Sequence, residues 1–251
     1  MRLTLIPLLL CTPAFADTCT VPEGPPQAME HAILMIEDNA GDGDLSVQGF
    51  FDDESWTELC LFDPTGTLIL HVAPGGALAA KGLAGVTMET TERLYAAYDY
   101  AALQAEFSEG DYTLRAMDID GEVLTGTAHF STVLPSMPVI TTPATVPESE
   151  GVTVPTVPLA DLTVAWQPVT TSQDGRPVVV RGYAVWVNKE NHVDDHGFSR
   201  PNLDVHLGPD ATSFVVPAAF LDAGSLYELE VTVIDDTGNQ TVGGASFFQT
   251  E

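Results

Sequence analysis

Hydrophobic positions alternate with polar ones in short segments along most of the chain, and the three- and four-residue spacing of a helix is rare. Gly, Pro, Asp and Asn separate these segments, as is typical of an all-β protein. In the first half the alternation predicts seven strands, near residues 32–38, 45–52, 57–63, 67–73, 85–91, 111–119 and 122–131. One helical piece near 99–108, with Leu103 and Phe107 four residues apart, is predicted to bridge two sheets. Seven strands suit one sandwich domain.

Residues 132–159 are rich in Pro, Thr and Val. Proline lacks an amide donor, so this stretch is predicted to be a linker that leads into an edge strand, over residues 135–160. The first domain then occupies residues 17–134 and the second occupies residues 138–251.

Three segments of the second half carry a recognisable pattern. Leu162, Val164 and Trp166 share one face of DLTVAWQPV, and VVVRGYAVWV shows the same alternation around Tyr183. In the third segment, Leu221, Gly224 and Tyr227 have the spacing of a tyrosine corner. Residues 138–251 therefore resemble a fibronectin type III domain. The resemblance implies an antiparallel β-sandwich with Trp166 at its centre and the Tyr227 hydroxyl bonded to the turning backbone.

The first half repeats the corner motif. Phe107, Gly110 and Tyr112 are followed by a strand, an acidic turn and a second strand, in the same order as in the second half. The first domain is therefore predicted to be immunoglobulin-like, and the whole chain is predicted to be two tandem antiparallel β-sandwich domains of the all-β class.

The first sixteen residues form a predicted signal peptide. MRLTLIPLLLCTPAFA has one Arg, an apolar run, and the small-x-small ending Ala14-Phe15-Ala16. No later segment approaches the ~18 consecutive apolar residues of a membrane span. We therefore expect an exported protein, periplasmic or extracellular, without an integral membrane segment.

Two cysteines remain after the leader, Cys19 and Cys60. An even number in an oxidising compartment predicts a disulfide that clamps the N-terminal tail onto the strand of Cys60. The alternative is a reactive thiol pair, although the sequence has no Cys-x-x-Cys spacing.

The chain carries 36 acidic against 8 basic residues, a net charge of −28. Such a field repels phosphate backbones and anionic lipid, so nucleic-acid binding and membrane-surface docking are both disfavoured, and no nucleic-acid partner is expected.

One acidic stretch, EDNAGDGDLSVQGFFDDESW over residues 37–56, resembles a calcium loop at first sight. The EF-hand rule fails in both registers, because Gly or the final Glu is missing and no helices flank the stretch. The main interpretation is an acidic turn between two strands. A different calcium site, formed by Asp38, Asp42 and Asp44, is the alternative, and Ca²⁺ is the sole cofactor the sequence suggests.

A second candidate metal cluster holds His192, His196 and His206 with Asp194 and Asp195. These donors suit zinc, but the segment lies in a predicted loop, and the main interpretation is a set of polar loop residues. Close to the C-terminus, Asn239-Gln240-Thr241 is a formal glycosylation sequon in a predicted tight turn.

Trp186 is predicted to point outward, because alternation directs Tyr183, Val185 and Val187 inward. It is covered either by the neighbouring domain or a long loop, or it contacts a partner or a sugar. The same alternatives apply to the group Tyr95, Tyr98 and Tyr100.

The sequence contains neither a Gly-x-Ser-x-Gly elbow nor a phosphate loop. The leading hypothesis is a non-catalytic exported module for binding, adhesion or structure, with an unknown protein or glycan partner. The alternatives are a carbohydrate-binding accessory protein that uses exposed aromatic side chains and, third, an enzyme with an unrecognised carboxylate site.

Overall fold

A computed structural model describes residues 18–24, 27–147, 152–190, 192–193 and 199–251. Two separate hydrophobic cores follow one another along the chain, each between two β-sheets. The prediction of an all-β chain with two tandem sandwiches is confirmed. Across the described residues, no helix combines the length and the apolar character that a membrane crossing needs.

Two sheets form the first sandwich. One sheet has the order β1-β9-β8-β4-β5, where the strands are β1 (Gln27–Ala28), β4 (Glu58–Phe62), β5 (Leu68–Val72), β8 (Gly110–Met117) and β9 (Val123–Phe130). The facing sheet contains β2 (His31–Asn39), β3 (Asp44–Trp56), β6 (Leu83–Glu89) and β7 (Arg93–Leu94). The helices are α1 (Gly76–Ala79) and α2 (Tyr100–Glu106).

The alternation that predicted these strands also fills the first core. Leu45, Val47 and Phe51 of β3 all point inward and are buried. Leu103 of α2 is fully buried among them, as expected for a helix that bridges the sheets. Trp56 ends β3 in the same core, where its indole N–H donates to the Ala84 carbonyl at 3.1 Å. Burial of such aromatic side chains is a large apolar contribution to stability.

The second sandwich has one sheet of three strands and one that contains four long strands. The three are β10 (Ile140–Thr142), β13 (Thr163–Trp166) and β16 (Ser213–Val215). The other sheet has the order β15-β14-β17-β18, with β14 (Val180–Lys189), β15 (Asn202–Leu207), β17 (Leu226–Asp235) and β18 (Gln240–Thr250). Trp166 lies in the core with its ring centroid 5.4 Å from that of Tyr183, as the sequence resemblance implied.

The Pro-rich stretch contributes three short edge strands, β10 together with β11 (Val146–Pro147) and β12 (Thr156–Val157). The last residue of the first core is Leu134, and the first residue packed on the second core is Ile140. These cores support the predicted domain bounds of 17–134 and 138–251, which stay a proposal.

One sheet runs through both sandwiches. Strand β18 pairs in parallel with β2, with Gln240 opposite Glu37, Thr241 opposite Asp38 and Val242 opposite Asn39. The path β15-β14-β17-β18-β2-β3-β6 is therefore continuous from the second sandwich into the first. Further along the same edge, β18 pairs with β11 and then with β12. The backbone groups of β18 that face away from β17 are thereby paired over much of the strand, so they are not available to pair with a strand of another chain.

Both predicted tyrosine corners are present. The Tyr112 hydroxyl donates to the Ser108 carbonyl at 3.1 Å. In the second sandwich the Tyr227 hydroxyl accepts from the Asp222 amide at 2.8 Å. Both side chains are almost completely buried, so these bonds hold the turning backbone in a dry environment.

We expect Tyr112→Phe to lower the free energy of unfolding by about 1 kcal/mol, because the Ser108 carbonyl loses its partner while the ring remains. Urea titration followed by fluorescence measures the change. Tyr98→Phe is the matched control, since the Tyr98 hydroxyl donates to the exposed Glu106 carboxylate at 2.9 Å and should matter less. Equal losses in the two variants would contradict the role of the corner.

The predicted disulfide joins Cys19 and Cys60, with the two Cα atoms 5.9 Å apart. Cys60 is fully buried on β4. Val21, which follows Cys19 closely in the tail, is buried as well. The Thr20 amide also donates to the Glu58 carboxylate at 2.6 Å. The tail is thus fixed to β4 both covalently and by polar contacts.

Candidate binding site at the domain joint

Asn239 is the main polar link between the two sandwiches. Its side chain is 1% exposed, and its amide donates to the carbonyls of Ser131 at 2.8 Å and Val133 at 2.9 Å. Its side-chain oxygen accepts from the Ile36 amide at 2.8 Å. One side chain thereby satisfies three backbone groups of the first sandwich and of the connection that follows it. The bonds to Ile36 and Ser131 are buried and the bond to Val133 is partly buried, so the loss of these partners would be costly.

The turn that carries Asn239 is held by Asp235. The buried Asp235 carboxylate accepts from the amides of Thr237 at 2.9 Å and Asn239 at 3.1 Å. Burial raises the pKa of Asp235, although these hydrogen bonds act in the opposite direction. Further along β18, the Thr241 hydroxyl donates to the Pro135 carbonyl at 2.7 Å. These hydrogen bonds fix the turn between β17 and β18 and bind the start of β18 to the connection between the sandwiches.

Asp38 forms a second link across the joint. Its side chain is 2% exposed and accepts hydrogen bonds from the Tyr95 hydroxyl and from the Gln173 amide of the second sandwich. Burial raises the pKa of Asp38, and the two hydrogen bonds oppose that rise. Burial, together with the hydrogen bond to Asp38, raises the pKa of Tyr95. The backbone amide of Gln173 also donates to the Leu134 carbonyl at 2.9 Å.

A cleft of about 620 Å³ opens beside these links. Its lining combines aromatic, apolar and polar side chains: Tyr95, Tyr100, Leu45, Leu134, Met137, Asp38, Asp99, Ser136 and Gln173, with Ala40. No Lys, Arg or His is among them. Tyr95 is 39% exposed and Met137 is 45% exposed, so part of the apolar surface faces solvent. The volume lies in the range of small-molecule sites.

The two tyrosines are positioned by backbone features. Tyr95 follows β7, and its amide donates to the Gly43 carbonyl at 2.8 Å. Gly43 has φ +78, a conformation that favours glycine. The Tyr95 ring lies beside it, 3.7 Å from the position that a Cβ would occupy. Tyr100 begins α2, which is capped by the Asp99 carboxylate accepting from the Ala102 amide at 2.9 Å.

The outer face of the shared sheet is acidic at the joint. Glu37 on β2 and Glu230 on β17 lie on either side of β18. Burial, with the nearby carboxylates of Glu89, Glu92 and Asp44, raises the pKa of Glu37 to about 7. Burial, with the nearby Glu228, Asp42 and Glu37, raises the pKa of Glu230 to about 7. The negative charges repel one another, so ionisation of Glu37 and Glu230 lowers the free energy of unfolding.

We expect the protein to lose stability as the pH rises from about 4.5 to about 7. In that window the folded state holds protons on Glu37 and Glu230 that the unfolded chain has released, so the free energy of unfolding falls with pH. Both side chains retain some exposure, so we allow for screening and expect a loss of about 2 kcal/mol for the pair.

The double variant Glu37→Gln plus Glu230→Gln should be more stable than the wild type at pH 7.5 by this amount, with a flatter pH profile. Urea titrations between pH 4.5 and pH 7.5 measure it. Glu54→Gln, at an exposed position on β3, is the matched control. A double variant no more stable than the control at pH 7.5 would contradict the explanation.

The three carboxylates of the predicted calcium site lie on consecutive parts of the chain, from the end of β2 to the start of β3. Asp38 faces the joint, Asp42 lies in the turn and accepts from the Asn39 side chain at 3.1 Å, and Asp44 is at the start of β3. Within the described part of the chain, the two groups of three potential metal ligands that lie within 4.8 Å of one another are Cys19, Glu58 and Cys60, and Glu30, His31 and Asp52. The calcium site stays a prediction, and calorimetric titration with Ca²⁺ tests it.

Trp186 lies on β14 between Glu230 of β17 and Asp204 of β15. Its inward neighbours Val185 and Val187 are fully buried, while Trp186 itself is half-buried. The candidate zinc cluster lies partly outside the described residues, because 194–198 belong to the undescribed part. Two of its members are described: His206 on β15 contacts Asp204 at 3.4 Å, and the His192 Nε2 atom lies 3.4 Å from the Ser199 hydroxyl.

Among the residues that form the joint, Asp38 is a predicted calcium ligand, whereas Gln173 is not predicted to be functional. Asn239 and Thr241 belong to the formal sequon, but both are buried and their polar side chains are bound to the first sandwich or to its connection, which leaves no room for an attached glycan. A signal was present in the pattern: Asp-Asp-Thr-Gly-Asn-Gln-Thr is a tight turn whose Asn and Thr would point to one side. Tyr95 and Tyr100 were named as candidates, and both line the cleft; Tyr98 is buried in the first core.

The fold and the joint define the class: an all-β protein of two β-sandwiches that share one sheet. No family model and no curated protein matches this chain. Solved structures of fibronectin type III domains resemble it.

Three of these structures illustrate the likeness. The FN1–FN3 domains of chicken CNTN1 are 12% identical with a TM-score of 0.35, over 90% of this chain and 65% of that one, so this chain spans about 65% of that length. The fibronectin(III)-like modules of Clostridium thermocellum CbhA are 13% identical with a TM-score of 0.31, over 88% of this chain and 91% of that one. The third fibronectin III domain of human KIAA0343 protein is 18% identical with a TM-score of 0.30, over 41% of this chain and 94% of that one. At these values the likeness carries no argument about function.

Proposed function

We propose that this chain is a non-catalytic, exported binding module whose two sandwiches hold a carbohydrate-binding cleft at their joint. The observation that carries the proposal is the lining of the cleft, where two tyrosine rings lie beside carboxylate, hydroxyl and amide groups. Sugars present apolar C–H faces and hydroxyl edges, so aromatic rings and polar acceptors together suit them.

The charge of the cleft narrows the ligand class. Asp38 and Asp99 line it, and no cationic side chain does. An anionic sugar would meet repulsion from these groups and from the net charge of −28. A neutral glycan, whose hydroxyls can donate to the exposed Asp99 carboxylate, is the favoured ligand.

The joint supports this proposal because it limits motion between the cleft walls. The bonds of Asn239 and of Asp38 connect both sandwiches around the cleft, and β18 and β2 continue one sheet. A preformed site loses less entropy when a ligand binds.

A neutral-glycan array with the purified protein tests the proposal. We expect binding that Tyr100→Ala lowers at least tenfold in a variant that still melts cooperatively, at a lower temperature because its packing on the first core is lost. Leu78→Ala, at an exposed apolar position on α1 outside the cleft, is the matched control. No glycan binding by the wild type would overturn the proposal, as would full binding by Tyr100→Ala.

Trp186 is a second candidate contact. It is an aromatic side chain on the outer face of β14, flanked by the carboxylates Glu230 and Asp204. Trp186→Ala on the same array separates the two surfaces: loss of binding in this variant alone assigns the ligand to the outer face.

Export is supported by the leader pattern and by the Cys19–Cys60 disulfide, which forms in oxidising compartments. Mass spectrometry of the protein from its native host should give a chain that begins at Asp17. A chain that retains residues 1–16 would contradict export by this route.

A further inference from the structure

The first sandwich contains a second cavity, remote from the joint. It has a volume of about 490 Å³ and lies between the two sheets on the side where β5 and β6 are the edge strands. Leu34 and Met88 line it from one sheet, and Leu61 and Tyr112 line it from the other. No backbone pairing connects β5 with β6, and the end of α2 with the two residues after it also lines the cavity on this flank.

The cavity reaches the core itself. Leu34, Leu61 and Tyr112 belong to the first hydrophobic core and are 2%, 0% and 2% exposed. Met88 leans over Gly49, where its Cγ is 2.9 Å from the position that a Cβ would occupy. The bottom of the cavity is thus formed by close-packed apolar side chains, and Ile69 and Phe107 extend this apolar surface toward the mouth. An apolar ligand part that fills such a space gains both burial and dispersion contacts.

The rim of the cavity has the opposite character. Two carboxylates stand there, Asp63 and Glu106, with the hydroxyls of Thr90 and Ser108, and no Lys, Arg or His is among the lining residues. Glu89 also lines the cavity, but its carboxylate accepts from the Ser46 hydroxyl and the Gln48 amide, both at 3.0 Å. Hydrogen bonds, first of all from the Thr65 side chain, hold the pKa of Asp63 below its usual range, so this group is ionised at neutral pH. A fatty acid or a phosphorylated lipid would place its negative head among these charges, whereas a protonated amine would be attracted.

We propose that this cavity binds a small amphipathic cation, an apolar body that enters between the sheets with an ammonium head held at the carboxylate rim. The volume lies within the usual range for small-molecule sites, which suits a ligand of one alkyl chain or one or two rings. The site is independent of the cleft at the joint, because the two share no lining residue.

Three probes with one alkyl chain and different heads test the proposal: decylamine, decanol and decanoate, each below its micelle concentration. Calorimetry and thermal shift with the purified protein measure binding. We expect decylamine to bind at least tenfold more tightly than decanol, and decanoate to bind most weakly. Binding of decanoate as tight as that of decylamine, or no binding of decylamine, would overturn the proposal.

Two variants locate the ligand. Leu70→Trp, on the edge strand β5, should fill the cavity and abolish decylamine binding. Glu106→Gln keeps the size of the rim side chain and an oxygen that accepts from the Tyr98 hydroxyl, and it should reduce the preference for decylamine over decanol about threefold or more. If Leu70→Trp fails to fold, Glu106→Gln decides alone: an unchanged preference overturns the role of the rim. Thr127→Ala, on β9 away from the cavity, is the control and should bind as the wild type does.

Discussion

Asn239→Ala is expected to lower the free energy of unfolding by about 4 kcal/mol. The substitution removes the partners of two buried backbone groups, those of Ile36 and Ser131, and of the partly buried Val133 carbonyl, and each unsatisfied buried group costs about 1–3 kcal/mol. Urea titration gives the loss. Asn202→Ala, at an exposed position on β15, is the matched control and should change stability by less than about 0.5 kcal/mol.

Asn239→Asp sharpens this test. One oxygen can still accept from the Ile36 amide, but the other then faces the carbonyl oxygens of Ser131 and Val133. A protonated carboxyl group can donate to one of them, so this variant should be less damaged at acidic pH than at pH 7. If Asn239→Ala costs less than about 1 kcal/mol, or if the loss in Asn239→Asp is independent of pH, the link does not stabilise the joint as described.

Removal of the disulfide is expected to cost about 4 kcal/mol. The bond joins residues 41 positions apart, and the chain-entropy model gives a loss of this size when the unfolded chain regains that freedom. The double variant Cys19→Ala plus Cys60→Ala, compared with the wild type in urea, measures it. Most of the loss should also occur in the wild type on reduction.

Thr20→Val provides the control for the polar part of the same attachment, because it removes the side-chain contact with Glu58 and keeps the disulfide. It should cost about 1 kcal/mol. A double cysteine variant that loses no more than Thr20→Val would show that the tail is held by its polar contacts and not by the covalent bond.

The sequence predicted the strands of the first sandwich closely, because alternation along a strand with one buried face is a local property. β2 and β3 were expected at 32–38 and 45–52 and lie at His31–Asn39 and Asp44–Trp56. The tyrosine corners could be predicted for a similar reason, since Tyr112 and its carbonyl partner are only four residues apart. Patterns of this kind require no knowledge of the remote parts of the chain.

The joint could not be predicted in that way. The pairing of β18 with β2 connects segments about 200 residues apart and uses backbone groups, which every sequence carries. Asn239 has the features of an ordinary turn residue, and only the approach of the first sandwich turns it into a buried link. The cleft depends on the same approach, so Tyr95 and Tyr100 could be named as candidates without a reason to prefer them over Trp186.

The parallel pairing of β2 with β18 also determines how the molecule would respond to a pulling force. Tension applied between the start of β2 and the end of β18 acts along these strands and in opposite directions, so it slides one past the other. The hydrogen bonds between them then share the load and must break together, whereas bonds pulled open from one end would break in succession. The joint between the sandwiches is therefore arranged to resist stretching along the long axis of the shared strands.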